Sequence, residues 1–289
     1  MNDTLKKKLI LVTGASTGIG NAVAVYLAKK GYTVLATVRK SSDADRLNAL
    51  SLLNLKVLYP FDLTKPEQIL STSEYLIRQV ITEQLPKLFA VVNIAGGGQI
   101  APIELMNINE FRDELEKRLV GPIILIQKLL PLLRDTKGKV LWIATPGLFP
   151  VPFISDIHAP DFAVNYIART LNLELLPDGI TNILIRCGGI NTSSPERSET
   201  KLKEMLNIWP EEITKIYRNR LLRFLADSKK FNSRRTDREK VAELIAKVLE
   251  SSNRKVRYQI GLMSGMGGFL EKLPQSWVDF IMKKRERNL

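Results

Sequence analysis

The sequence predicts an α/β fold, a single doubly wound parallel sheet with helices on both faces built from residues 1–289 as one dinucleotide-binding domain. Three observations predict it. Short β-rich apolar runs recur at 9–12, 33–38, 57–61, 88–92, 140–143 and 183–185, with segments of helical period between them. The first run stops at Thr13 and leads through Gly14, Gly18 and Gly20 into an amphipathic segment closed by Gly31, which reads as strand, glycine turn, helix. The composition, 45% hydrophobic and 25% charged over 289 residues, is that of a chain with a sizeable core.

The glycine turn is the first element with chemical content. Glycines spaced Gly-x-x-x-Gly-x-Gly let backbone approach a ligand closely, and the helix that follows offers free N–H groups to a pyrophosphate. Ser16, Thr17 and Ile19 complete the turn. The competing reading is a tight strand-to-helix turn with no ligand. The second strand ends at Arg39 and Lys40. An acid there would hold an adenosine ribose, whereas a base suits a 2′-phosphate, so the expected cofactor is NADP(H) rather than NAD(H). Arg39 is the main contact, assisted by Lys40 and Ser16; an exposed strand-end charge is the alternative.

The third run leads to Asp62-Leu63, and Thr64-Lys65-Pro66-Glu67 reads as a capping box opening a helix. The fourth runs into Asn93-Ile94-Ala95-Gly96-Gly97-Gly98, whose small residues suit a wall for a flat ring. A long helix follows Asn109, bent at Gly121-Pro122. The segment 162–176 reads as a helix apolar on more than one face, covered by the sheet on one side and by a partner subunit on the other, hence a homo-oligomer. Residues 193–235 are basic and helical, an excursion over the carboxyl edge of the sheet where ligands of such folds bind. Thr236-Asp237-Arg238-Glu239 is a second capping box, and 257–261 a last strand. The tail, 262–289, is basic and amphipathic, with Phe269, Leu270, Leu273, Trp277, Phe280 and Ile281 among lysines and arginines. It reads either as a helix packed on the domain or as a peripheral membrane contact.

Composition sets limits. No apolar run is long enough to span a bilayer, and the stretch after the lysine-rich N-terminus is too short for a signal-peptide core. The single cysteine, Cys187, excludes an intramolecular disulfide, and a cytoplasmic protein is the default. No metal-ligand spacing is present. The net charge of +13 comes without an RNA-binding or zinc motif, which argues against nucleic acid and leaves an anionic surface or an acidic ligand.

Thr13 to Gly20 resembles the opening of the short-chain dehydrogenase/reductase family, and the resemblance runs along nearly the whole chain. Asp62-Leu63 resembles the family's adenine-contact site. Asn93-Ile94-Ala95-Gly96 is similar to its Asn-Asn-Ala-Gly, and Cys187-Gly188-Gly189-Ile190-Asn191-Thr192 to its Pro-Gly-x-x-x-Thr. The resemblance therefore implies a Rossmann-type domain and adds Asp62, Leu63, Asn93, Ala95, Gly96, Ile190 and Thr192 to the cofactor contacts. The last strand resembles the branch acting on steroids and retinoids, which implies a lipophilic small-molecule ligand.

The family works with Asn, Ser, Tyr and Lys, the Tyr as acid/base and the Lys lowering its pKa. Here the Asn position is Arg118 and the Ser position Thr145. No Tyr-x-x-x-Lys lies between the fifth and sixth strands. Anchoring on Phe162-Ala163 places Ile157 at the Tyr and Asp161 at the Lys; anchoring on Pro152-Phe153 gives His158 and Phe162. Hydride transfer to a carbonyl leaves an alkoxide needing a proton, which Ile157 cannot give. Pro160 suggests that the helix starts later than in the family. The candidates for chemistry are thus Thr145, the sole histidine His158, Asp161 as its partner in an acid/base dyad, and Arg118 for an anionic ligand. The bland readings are a packing histidine, and an Arg118 salt bridge to Asp113 or Glu114. Three functions fit: an NADP(H)-binding member with an atypical catalytic centre, an active ketone/alcohol oxidoreductase drawing its proton from His158 or water, and a non-catalytic dinucleotide-dependent regulatory or partner-binding protein.

Overall fold

The computed structural model describes the chain apart from residues 1–4, 6, 148, 253–254 and 288–289, and the side chains of 285–287. The first half alternates strand and helix: β1 (Lys8–Val12), α1 (Gly18–Lys30), β2 (Thr33–Thr37), α2 (Ser41–Asn48), β3 (Leu55–Leu58), α3 (Pro66–Ile81) and β4 (Lys87–Asn93). Then come α4 (Ile108–Leu115), α5 (Gly121–Thr136), β5 (Lys139–Ala144), α6 (Ser155–Glu174) and β6 (Thr181–Cys187). The last part holds β7 (Ile190–Asn191), α7 (Ser194–Met205), α8 (Glu211–Asn232), β8 (Thr236–Asp237), α9 (Arg238–Glu250), β9 (Arg257–Ile260), α10 (Ser264–Leu270) and α11 (Gln275–Arg287).

Seven strands form one parallel sheet in the order β3-β2-β1-β4-β5-β6-β9. The order reverses beside β1, at the switch point where the ends of β1 and β4 open a crevice. Successive residues of the central strands point to opposite faces, so each face has its own core. Ile10, Val12 and Val34 pack under α1 and α9 with Val23, Leu27, Val241 and Ile245. Leu9, Leu11, Val91 and Trp142 pack with Leu76, Leu125, Leu129 and Val164 on the other face. Burial on both faces explains why these strands read as unbroken apolar runs. Lys139, at the start of β5, donates its ammonium to the carbonyls of Val248, Leu249 and Ser251 at 2.7–3.1 Å and so satisfies the end of α9.

Several expectations need correction. The third strand is Leu55–Leu58, before the 57–61 run, and the cis Tyr59-Pro60 bond follows it. Neither capping box forms. Lys65 and Asp237 occupy the N-cap positions without side-chain bonds, and Thr64 donates its hydroxyl to Asp62 instead, at 3.0 Å. The bend at Gly121-Pro122 is one π-helical turn, Glu116–Val120. The helix α6 starts at Ser155 and runs through Pro160, so it begins earlier than expected rather than later. Pro160 costs one backbone bond near the N-terminus; the buried face of Asp156, Pro160, Asp161 and Val164 offsets that cost.

Residues 193–235 are helical as read, forming α7 and α8. Their two ends are stitched by a parallel ladder, Ile190 with Thr236 and Asn191 with Asp237, which the sequence did not reveal. This excursion has a small core of its own: Leu202, Leu206, Leu221 and Leu225 gather on Phe153. In the tail, α10 lies against Pro146, and Val278 and Met282 of α11 are buried, so the tail packs on the domain. No helix among the described residues is long and apolar enough to cross a membrane.

A buried cation fixes the tail. Arg186 on β6 is 1% exposed; its guanidinium meets Asn165 of α6 and both carboxylate oxygens of Glu271. That contact holds the Glu271 carboxyl below its usual range. Replacing Glu271→Gln leaves Arg186 uncompensated and should lower unfolding free energy by about 3 kcal/mol in urea titrations at neutral pH. Because the folded pKa is depressed, this stabilisation is full above the ordinary glutamate pKa and disappears as pH falls through the folded value, so the variant's deficit should shrink in acid.

Candidate functional site

A cavity of about 630 Å³ opens at the carboxyl ends of β1, β2 and β4. Its first wall is the glycine turn: Gly14, Ser16, Thr17, Gly18, Ile19 and Gly20. Gly14 and Gly18 take positive φ, and a Cβ on Gly14 would come within 2.8 Å of the Ala95 backbone. A Cβ on Gly20 would meet the Gly14 carbonyl at 2.1 Å. The turn is therefore as tight as backbone allows. Thr17 caps α1 without a side-chain bond, and no acid stands in the helix's first turn. The end of α1 thus presents its N–H groups and positive dipole to the cavity, which suits a pyrophosphate.

The second wall comes from β2 and the loop after β3. Arg39, Lys40, Asp62 and Leu63, all expected as cofactor contacts, line it. Arg39 approaches Asp62 at 3.8 Å and is more than half exposed. Ser42 and Asp43 line it too. Arg46 reaches back to the Ser16 carbonyl and pairs with Asp43 at 2.7 Å. The bases at this end are thus Arg39, Lys40 and Arg46, against Asp43 and Asp62.

The third wall is the loop Ile94–Gly98 with Glu114, Lys117 and the N-terminal end of α7. Of the remaining expected cofactor contacts, Ala95, Gly96 and Thr192 line it, whereas Asn93 and Ile190 are not among the lining residues and are both buried. Sequence reasoning missed the α7 face, Ser194, Arg197, Ser198 and Lys201. Their i, i+3, i+4, i+7 spacing was the available signal for one polar helix face.

The four residues marked for chemistry behave differently: none is among those lining this cavity. Arg118 lies behind Gly96, where a Cβ would come within 2.7 Å of its guanidinium carbon. It donates to Asp161 at 3.0 Å, to Glu114 at 3.1 Å and to the Gly97 carbonyl at 2.7 Å. Its salt bridge is to Glu114, not Asp113, with Asp161 as an unforeseen second partner. Burial opposes the Arg118 charge, but the two carboxylates outweigh it and raise its pKa. Burial likewise opposes the Glu114 carboxylate, and Arg118, the Gly97 N–H and Lys117 together pull it below its ordinary value.

Asp161 has no oxygen to spare for a dyad. One accepts from Arg118 and the other from the Thr145 N–H at 2.8 Å. His158 stacks among Phe149 and Phe162 instead, and burial drives its pKa down. The His158–Asp161 dyad is therefore not formed. Ile157 lies over Gly98, where a Cβ would meet its Cγ1 at 2.1 Å. Burial, followed by the Asp161 charge, pushes the Cys187 thiol up to about 12, away from the reactive thiolate.

Buried polar atoms without hydrogen-bond partners gather here: both side-chain atoms of Asn93, Thr145 Oγ1, His158 Nδ1 and Asp156 Oδ1. Such atoms are uncommon in folded chains, and others occur elsewhere here, at Tyr32, Trp142 and Asn182. Asp156 was not singled out from sequence. It is fully buried, its other oxygen accepts from the Gln99 N–H at 2.6 Å, and burial pushes its carboxyl up.

Comparison with known proteins matches this architecture. A family model described as short chain dehydrogenase covers residues 8–203. The chain is 29% identical to a 3-amino-tetrahydro-pyrrolizinone reductase of Xenorhabdus hominickii, over 89% of this chain and 88% of that protein. It is 31% identical to human 11-beta-hydroxysteroid dehydrogenase type 2 over 73% of this chain, and spans about half (53%) of that relative's length. Among solved structures, a short-chain dehydrogenase from Streptomyces avermitilis superposes with a TM-score of 0.75 at 22% identity, covering 99% of each chain. A 3-ketoacyl-(acyl-carrier-protein) reductase from Brucella melitensis complexed with NADH gives 0.70 at 19% identity, covering 90% of this chain and 98% of the other. An alcohol dehydrogenase from Thermococcus sibiricus complexed with 5-hydroxy-NADP gives 0.67 at 20%, covering 88% and 96%. With its sheet order, glycine turn and family match together, the chain belongs to the short-chain dehydrogenase/reductase family.

Proposed function

We propose that this protein binds NADP(H) in the cavity and carries a catalytic centre rebuilt from the family's usual one, beside a lipophilic small-molecule ligand. The observation that carries the reading is the Arg118–Asp161 ion pair at 3.0 Å. The resemblance puts an asparagine and a lysine at these two positions. Here a cation and an anion stand there and neutralise each other, so the departures form one matched exchange rather than two separate losses. Asp161 spends its carboxylate on Arg118 and Thr145, and Ile157 offers no proton. The dinucleotide supplies hydride when bound; the residues here bind and orient it, but lack the usual Tyr–Lys proton donor.

Fit to NADP(H) rests on the tight glycine turn, the uncapped end of α1 and the excess of bases near Arg39. Fit to a lipophilic ligand rests on the last strand's resemblance to the branch acting on steroids and retinoids, and Arg197 on the cavity wall is placed to meet an acidic group. Tyr166 and Leu173, exposed on α6, support a homo-oligomer.

A second reading, an active reductase, is favoured by Asp156. Its carboxyl is fully buried, which raises its pKa, and its Oδ2 would lie 3.5 Å from a Cβ on Gly98, a residue that lines the cavity. The relative named a pyrrolizinone reductase agrees with this reading.

Titration calorimetry tests the cofactor. The double variant Arg39→Ala/Lys40→Ala should weaken NADPH binding by roughly tenfold, about 1.4 kcal/mol, with NADH little changed; equal losses for both would sink the 2′-phosphate assignment. For the ion pair, Asp161→Leu alone should destabilise by about 3 kcal/mol, and adding Arg118→Met together with Glu114→Gln, so that no carboxylate is stranded, should recover part of it. Turnover separates the two functional readings. NADPH binding without hydride transfer on a ketone and alcohol panel supports the first, whereas turnover lost in Asp156→Asn with NADPH affinity retained supports the second.

A further inference from the structure

We propose that α11 docks the protein on an anionic lipid surface. The inference uses none of the cavity residues and stands apart from the cofactor reading. Val278 and Met282 seat one side of α11 in the domain, 2% and 8% exposed. Beside that seat Trp277, Phe280 and Ile281 are 63%, 68% and 41% exposed. They are spaced i, i+3, i+4, and exposed Lys284 stands at i+7, so all four share one stripe. Lys272 and Lys283 are exposed nearby, and the sequence continues Arg285-Glu286-Arg287. The preceding helix α10 leaves Met266 and Phe269 open as well.

An aromatic and aliphatic stripe rimmed by lysines is the pattern of a helix lying in the headgroup region, with rings at the acyl boundary and ammonium groups on lipid phosphates. The net charge of +13 steers the whole molecule to such a surface. The α11 stripe by itself, without Met266 and Phe269 of α10, is too small for a second copy of the chain. Three large side chains cover roughly 500 Å² at most, against the ~800 Å² per partner of a stable interface. The Arg186–Glu271 contact and the seated face of α11 keep the stripe presented without unfolding the tail.

The test is co-sedimentation of the full chain with phosphatidylcholine vesicles, with and without about one-quarter phosphatidylserine. Binding should require phosphatidylserine and weaken as salt rises. Trp277→Ser/Phe280→Ser/Ile281→Ser should lose binding by about tenfold or more, with NADPH affinity and melting temperature unchanged. The surface variant Lys283→Glu/Lys284→Glu should also lose it, which keeps the test valid if the first variant folds poorly. Binding that is indifferent to phosphatidylserine, binding unchanged in both variants, or a stripe variant that breaks a dimer without any vesicle binding in the parent would each overturn the proposal.

Discussion

A guanidinium held mostly out of water, 15% exposed, must be met by anions, and that requirement organises the structure behind the Gly96–Gly98 loop. Arg118 leaves the π-helical turn between α4 and α5 and is met by Glu114 from its own helix and Asp161 from α6. Its remaining donor holds the Gly97 carbonyl, while Glu114 takes the Gly97 N–H. Asp161 in turn fixes the start of the loop after β5 through Thr145. Four segments far apart in sequence are thus tied to one charge. The Gly96–Gly98 loop owes its path to this arrangement, with the guanidinium behind Gly96 and Ile157 over Gly98 leaving room for hydrogen alone.

The frame of the molecule was readable because its signals are local. An apolar run, a glycine turn and an amphipathic helix are each decided by neighbours along the chain. The Gly14–Gly20 wall and the Arg39–Lys40 edge follow directly from such segments, and the structure lines the cavity with them. The region behind the Gly96–Gly98 loop depends on contacts across the fold. Nothing in the letters around Asp161 says that its carboxylate will face Arg118, 43 positions away. His158 and Asp161 are spaced to share a helix face, yet Arg118 takes the carboxylate because a guanidinium held mostly out of water needs it more than a desolvated imidazole does. Asp156 was passed over because its character comes from burial. Helix starts failed for a related reason: Thr64 had a nearer acceptor in Asp62, and the packed face of α6 outweighed Pro160.

The excursion shows how added chain is tolerated at such a site. Residues between the two halves of the β7–β8 ladder can vary while the ladder fixes where they leave and return. Within it, α7 turns one polar face to the cavity, and α8 packs apolar side chains toward Phe153. Ser198 bonds the Gly98 carbonyl at 3.1 Å, so the cover and the glycine loop share a hydrogen bond. Whatever lies in the cavity therefore meets backbone positioned from below by Arg118 and from above by α7.

The contact between Arg186 and Glu271 also bears on how the chain assembles. Arg186 sits on an interior strand of the sheet, but its counter-charge is 85 residues further along. The edge strand β9, which pairs with β6, also comes late in sequence. During synthesis on a ribosome, the β1–β5 half can pair and bury its faces as it emerges. Until residue 271 has cleared the exit tunnel, the β6 layer closes over an unmatched guanidinium only at a cost of about 3 kcal/mol. The nascent protein thus carries an unfinished flank until then, and that flank is the surface a chaperone would have to cover.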